Sequence, residues 1–216
     1  ITLLPDNLFI CSGTPIKSIS ATCDNLTNSP VLRINGKFFK SSILLILALF
    51  EVNTSSINFP SKGITFRDIT PIFQDPNIFN FVIEEMRKYI DKVKPDYLAA
   101  IDSRGFLLGS ALALSSKIPL ILIRKKGKLP PPVISQKYSL EYGDDYLELS
   151  SQINLSGKKV IIIDDVLATG GTITAAIKLI EKLEGEVIGL NFLINLINIE
   201  KPSEIKNYPI NFLKSY

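Results

Sequence analysis

The stretch Val160–Thr172, VIIIDDVLATGGT, constrains the folds open to this chain more than any other. Val160 to Ile163 are four consecutive β-branched residues, as in a strand buried on both faces; a strand with one wet face would alternate polar and apolar residues. Asp164 and Asp165 end the run, and a short loop with Gly170 and Gly171 leads at once into TITAAIKLIEKLEG. There Ile173, Ile177, Ile180 and Leu183 recur at helical spacing, and Gly185 is the expected stop. The alternation repeats along the chain. NIFNFVIEEMRKYIDKV carries Ile78, Phe79, Val82, Ile83, Met86, Tyr89 and Ile90 at a helical period, DYLAAID reads as a strand, GFLLGSALALSSK as a helix, and PLILIRK and EVIGLNFLINLI as further strands. Strands that are continuously apolar and alternate with helices predict an α/β fold, a mostly parallel sheet covered by helices on both faces. Residues 129–149, with three successive prolines and no helical period, read as an excursion with β character.

Composition narrows the chemistry. Among 216 residues there is no histidine, which removes Ser-His-Asp and Cys-His catalysis and the commonest zinc sites. A net charge of +3 gives no drive towards nucleic acid or an anionic membrane. Two cysteines, Cys11 and Cys23, do not make a disulfide framework, so a reducing, cytoplasmic setting is expected. The apolar run Ile43–Phe50 is far shorter than the roughly 20 residues a bilayer span needs, and reads as a buried helix face. Residues 1–40, rich in Ser, Thr and Asn with only Asp6 and Asp24 as acids, read as an irregular N-terminal extension or the remnant of a transit segment. Residues 41–216 are expected to form the main α/β domain.

In open α/β sheets, ligands sit at the carboxyl ends of the strands. Ala168, Thr169, Gly170, Gly171 and Thr172 follow such an end and precede a helix. Glycine backbone, hydroxyl donors and the free N–H groups of a helix start together suit a phosphate. The loop lacks the Walker G-K-[ST] ending and is not G-x-G-x-x-G. Two carboxylates beside a phosphate must face something else. Ribose hydroxyls and a Mg²⁺ ion fit, so a sugar 5-phosphate across the loop satisfies both halves.

VIIIDDVLATGGT resembles the phosphoribosyl pyrophosphate motif of the type I phosphoribosyltransferases. FPSKGITFRDITPIFQDP (59–76), DYLAAIDSRGFLLG (96–109) and IRKKGKLPPPVISQKYSLEYG (123–143) resemble one branch, the adenine phosphoribosyltransferases, and the likeness spans Asn58 to Tyr216. It implies a type I fold with a mobile lid, and the conversion of adenine and 5-phosphoribosyl 1-pyrophosphate to AMP and pyrophosphate in purine salvage. It also implies a homodimer that uses Mg²⁺ carried by substrate, with no direct protein ligand, water-bridged at most to Asp164 and Asp165.

The resemblance further assigns roles. Ser103, Arg104, Lys125, Lys128 and Tyr142 would hold phosphoribosyl pyrophosphate together with Asp164, Asp165 and residues 168–172. Arg104 would steady the leaving group, because a guanidinium offers a fixed fork of donors to phosphate oxygens. Glu141, in the lid motif YSLEYG, would be the acid catalyst at the purine imidazole edge. Backbone groups of Thr65 and Arg67 would read the amino edge of adenine, with Val166 against its ring. Two positions depart from the family pattern: Lys62 and Pro131 stand where proline and glycine are usual. Two other readings remain: a relative that prefers a 6-oxopurine, and a DNA-binding regulator that keeps the site as a sensor. The second would need a basic helix-turn-helix before the core, yet residues 1–57 hold only Lys17, Arg33, Lys37 and Lys40 as bases.

Overall fold

The computed structural model describes residues 68–216 apart from Glu141, Tyr142 and the side chains of Ser139, Leu140 and Gly143; before residue 68 it describes the backbone of five short strands. The chain divides into two compact units, Ile1–Asn80 and Phe81–Tyr216. The first holds a three-stranded antiparallel sheet of β1 (Ile19–Cys23), β2 (Pro30–Ile34) and β3 (Lys37–Phe39), which corrects the reading of residues 1–40 as irregular. Short strands of three to five residues have no room for a sustained alternation, so the polar composition hid them. The same unit pairs β4 (Ser55–Ile57) with β5 (Thr65–Arg67), antiparallel, with Ser55 opposite Arg67. The expected helix at 43–50 lies outside the described residues.

Helix α1 (Thr70–Gln74) starts where Asp68 Oδ1 accepts bonds from both the N–H and the hydroxyl of Thr70. Helix α2 (Pro76–Val93) starts on Asp75, whose Oδ1 accepts from the N–H groups of Asn77 and Ile78, with Pro76 first in the helix, where a missing N–H costs nothing.

The second unit is built on a seven-stranded sheet in the order β12-β11-β10-β6-β7-β9-β8. β6 (Tyr97–Ile101), β7 (Leu120–Lys125), β10 (Lys159–Leu167), β11 (Glu186–Asn195) and β12 (Ile210–Ser215) run parallel. β8 (Val133–Leu140) and β9 (Gly143–Ser150) form an antiparallel hairpin joined through β9 to the β7 edge. The excursion of β character is therefore an extension of the sheet.

Helix α3 (Arg104–Ser116) links β6 to β7, and α4 (Gly171–Lys182) links β10 to β11. Neighbouring strand residues alternate between the two faces. Ala99, Ile101, Val160, Ile162, Leu190 and Phe192 share one core with Ile173, Ala176, Ile177 and Ile180 of α4. On the other face, Ala100 lies against Gly109 of α3, and the buried Asn191 donates to Met86 O of α2. Both faces are covered, which is why the strands carry no polar alternation.

Two local expectations change. The strand with the acid pair runs on to Leu167, because its pairing with β11 continues to Leu167 opposite Asn195. The turn after α4 takes its left-handed residue at Glu184 (φ 61°), not at Gly185. Gly185 is needed for space: a β-carbon there would come within 2.8 Å of Ile180 Cγ2. Among the described residues, no helix is long and apolar enough to cross a membrane.

Candidate active site

The chain leaves β6 for α3 on one side of the sheet and β10 for α4 on the other, so the neighbours β6 and β10 flank the point where strand order reverses. A crevice opens at the carboxyl ends of such a pair. Register places the acids there. β10 pairs with β6 only as far as Ile163 opposite Ala100, while its pairing with β11 goes on. Asp164 and Asp165 therefore stand just past the last rung on the β6 side.

The start of α3 meets them. Arg104 Nε lies 2.7 Å from Asp165 Oδ2, and the Asp165 side chain is 10% exposed. Gly105 permits this approach, since a β-carbon would sit 2.8 Å from Asp164 Oδ1 and 3.2 Å from Ile163 O. Asp164 Oδ1 in turn accepts the N–H of Asp165 at 2.9 Å. Burial, and then the charge of Asp165, push the Asp164 carboxyl well above the ordinary aspartate range, despite relief from that N–H and from Arg104. A hydroxyl donor or a cation beside the pair would relieve both causes.

Past Leu167 the chain turns through Ala168 and the exposed Thr169 into α4, whose N-cap is Gly170 at φ 82°. The backbone conformation favours glycine, and so does the space, because a β-carbon would overlap Ile205 Cδ1 and come within 3.1 Å of Pro202 Cδ. The turn is thus seated on the 3₁₀ segment Ser203–Asn207 and the proline before it. Gly170 O accepts the Thr174 N–H and hydroxyl. Among the described residues, no side chain caps the helix start at Gly170 or, in α3, at Ser103, which leaves N–H groups at both for a ligand or water. The Asp102–Ser103 peptide that leads into α3 is cis.

The basic cluster after β7 divides. Arg124 Nε and Lys128 Nζ lie 3.4 and 3.3 Å from Asp102 Oδ2, and Arg124 Nη1 donates to Lys128 O at 3.0 Å. Lys125 goes the other way. Its Nζ lies 2.8 Å from Asp145 Oδ2 on β9, the same oxygen that accepts the Tyr138 hydroxyl at 3.0 Å. The bond from Lys125 leads the causes that hold the Asp145 carboxyl below the usual range, and the bond to Asp145 raises Lys125. Lys126 sits over the Tyr146 ring at 4.7 Å. Gly127, at φ 76°, donates its N–H to the buried Glu148 at 2.9 Å.

Ser103, Arg104, Asp164, Asp165 and Lys128 thus converge on the ends of β6, β7 and β10, and residues 168–172 follow directly from β10. Lys125 is directed towards the hairpin. Val166 is half-buried on β10, beyond the acids. Glu141 and Tyr142 join β8 to β9 in sequence and lie outside the described residues, as do the side chains of Thr65 and Arg67 on β5. Sequence reasoning assigned no side-chain role to Asp102, Asp145 or Glu148. Asp102 carried a usable signal, an acid at a strand end just before Ser103–Arg104. The other two are fixed only by the β7–β9 register.

Comparison with known proteins agrees with this geometry. Residues 68–214 match the phosphoribosyl transferase domain family. The adenine phosphoribosyltransferase of Brachyspira hyodysenteriae is 47% identical over 159 residues, 74% of this chain and 94% of the relative. That of Corynebacterium glutamicum is 44% identical over 154 residues, 71% of this chain and 83% of the relative. The crystal structure of adenine phosphoribosyltransferase from Thermoanaerobacter pseudethanolicus superposes with a TM-score of 0.76 at 40% identity, covering 79% of this chain and 99% of the other. The Saccharomyces cerevisiae protein, complexed with D-2,5-dideoxy-2,5-imino-altritol 1,6-bisphosphate and adenine, superposes at 0.68 with 35% identity, covering 77% and 97%. The strand order, the acid pair at its reversal point, the glycine turn and these likenesses place the chain in the type I phosphoribosyltransferase family, in its adenine phosphoribosyltransferase branch.

Proposed function

We propose that this chain joins adenine to the phosphoribosyl group of 5-phosphoribosyl 1-pyrophosphate, forming AMP and pyrophosphate in purine salvage. The observation that carries the reading is the meeting of Arg104 with the Asp164–Asp165 pair at the reversal of strand order, immediately before the Gly170 turn. The turn and the start of α4 take the 5-phosphate on backbone N–H groups and the Thr169 and Thr172 hydroxyls. Asp164 and Asp165 accept from the ribose hydroxyls. The transition state resembles an oxocarbenium ion, as sugar C1 substitutions commonly do. Catalysis therefore lies in aligning two reactants and stabilising a departing polyanion. Arg104, the free N–H groups at Ser103, Lys128 and Lys125 supply that stabilisation, and Lys125 must exchange its bond to Asp145 for one to a phosphate oxygen. Backbone groups of Thr65 and Arg67 read the amino edge of adenine, Val166 packs against its ring, and Glu141 exchanges a proton at the imidazole edge as N9 attacks. Closure of the β8–β9 hairpin as a lid, bringing Tyr142 to the phosphates, excludes the water that would trap C1.

Mg²⁺ suits the donor set. The ion would be carried by substrate oxygens and steadied through water by Asp164 and Asp165, two hard oxygen donors at the end of β10. Burial, and then the charge of Asp165, raise the Asp164 carboxyl, and a cation held beside the pair would offset the second of these causes. When bound, the ion would supply neutralisation of the pyrophosphate charge. The reading extends to a homodimer, for which exposed Leu107 and Leu114 on α3 offer apolar surface, and to a cytoplasmic location, consistent with only two cysteines.

The test is nucleotide formation from phosphoribosyl pyrophosphate and Mg²⁺ with adenine, hypoxanthine, guanine or xanthine in separate reactions. AMP alone is expected. A preferred 6-oxopurine would refute the base assignment, and binding without turnover would favour the sensor.

A further inference from the structure

We propose that Asp102 is a positioning residue that gathers the leaving-group cations at the end of β6, an inference that rests on the functional reading above. Its side chain is 5% exposed and directly precedes Ser103–Arg104, yet no step of the reaction uses it. One carboxylate oxygen faces two cations, Arg124 Nε at 3.4 Å and Lys128 Nζ at 3.3 Å. The two come from another segment, the end of β7 and the turn after it. Arg124 Nη1 ties the segment together by donating to Lys128 O at 3.0 Å, and Lys128 N–H donates to Lys125 O at 3.3 Å.

Stoichiometry and distance separate this cluster from an ordinary ion pair. One carboxylate oxygen is shared by two cations, while Glu148, opposite Arg124 on β9, accepts the Gly127 N–H. Neither cation comes within the 2.7–2.9 Å typical of a charge-assisted bond. The Lys128 side chain is 50% exposed, so its ammonium keeps donors for an incoming polyanion. Arg104 differs, being closed on Asp165 at 2.7 Å. Asp102 therefore holds the stems of two mutually repelling cations beside the α3 start without capping them.

The sign of the effect tests this. Simple Coulomb reasoning says that removing a negative charge from an anion site tightens anion binding. Positioning predicts the reverse, because Arg124 and Lys128 then repel each other out of place. The experiment is calorimetric titration of Asp102→Asn with Mg²⁺–phosphoribosyl pyrophosphate, with initial rates measured alongside. Binding is expected to weaken about tenfold, while KM for adenine stays within about twofold. Most of the loss should vanish when the substitution is made in a Lys128→Ala background, because the two residues act as one unit. Tighter or unchanged binding, an undiminished loss in that background, or an Asp102→Asn chain that does not fold would overturn the proposal. A wild-type chain that binds phosphoribosyl pyrophosphate without forming AMP defeats the functional reading alone, and one that does not bind it defeats both.

Discussion

Substituting Gly170 by alanine tests whether the phosphate turn depends on its seat against the 3₁₀ segment. Two costs follow from the structure. Holding a non-glycine residue at φ 82° costs about 1 kcal/mol. The new β-carbon would also overlap Ile205 Cδ1, and Ile205 is 1% exposed, so it has little room to withdraw. Overpacking of this kind costs about 1–3 kcal/mol. The sum, about 2–4 kcal/mol, should lower Tm by roughly 4–9 °C for a chain of this size. It should also raise KM for phosphoribosyl pyrophosphate more than KM for adenine, because the displaced backbone donors face the 5-phosphate. Urea unfolding and initial-rate kinetics read both effects. Adding Ile205→Val removes the overlapping methyl and should recover about 1 kcal/mol relative to the sum of the single changes. A Gly170→Ala protein within about 0.5 kcal/mol of wild type, with both KM values unchanged, would refute the reasoning.

Further expectations concern the charges. Asp164 titrates higher in the folded chain than in the unfolded one, so its ionisation opposes folding once pH exceeds the ordinary aspartate value, and fully so above the raised one. Asp164→Asn should therefore stabilise the ligand-free protein at neutral pH by about 1 kcal/mol or more while abolishing most turnover; the gain should fade as pH drops through that window, and urea titrations from pH 3 to 8 would show it. Tyr138→Phe removes one bond to Asp145 and should cost about 1 kcal/mol of unfolding free energy. Arg104→Lys keeps the charge but loses the fork, and steady-state assays should show kcat lower by about 10²-fold. Glu141→Ala should lower kcat by about 10²- to 10⁴-fold with little change in phosphoribosyl pyrophosphate affinity.

Much of the central fold can be read along the chain because its determinants are local. An apolar run such as Val160–Ile163 admits a doubly covered strand, and the helical spacing of Ile173, Ile177 and Ile180 admits one buried face. The acids and the glycine turn are likewise contiguous with a strand end. What was missed depends on neighbours far away in sequence. β12 mixes Asn211 and Lys214 with Phe212 and Leu213 at a half-buried edge, and so shows neither alternation nor a run. The split of the basic cluster follows from Arg124 lying opposite Glu148 and Lys125 opposite Leu147, a register that no local pattern announces. Gly185 was rightly marked as the end of a helix but for a different cause, since contact with Ile180, not a left-handed backbone, requires it.

A crystal structure with AMP bound tests the central claim most directly. The account predicts the 5-phosphate on the backbone N–H groups of residues 169–172, the ribose hydroxyls on Asp164 and Asp165, and the base against Val166. AMP bound away from the β6–β10 crevice, or with its phosphate at the Arg124–Lys128 turn and its ribose clear of the acid pair, would contradict it.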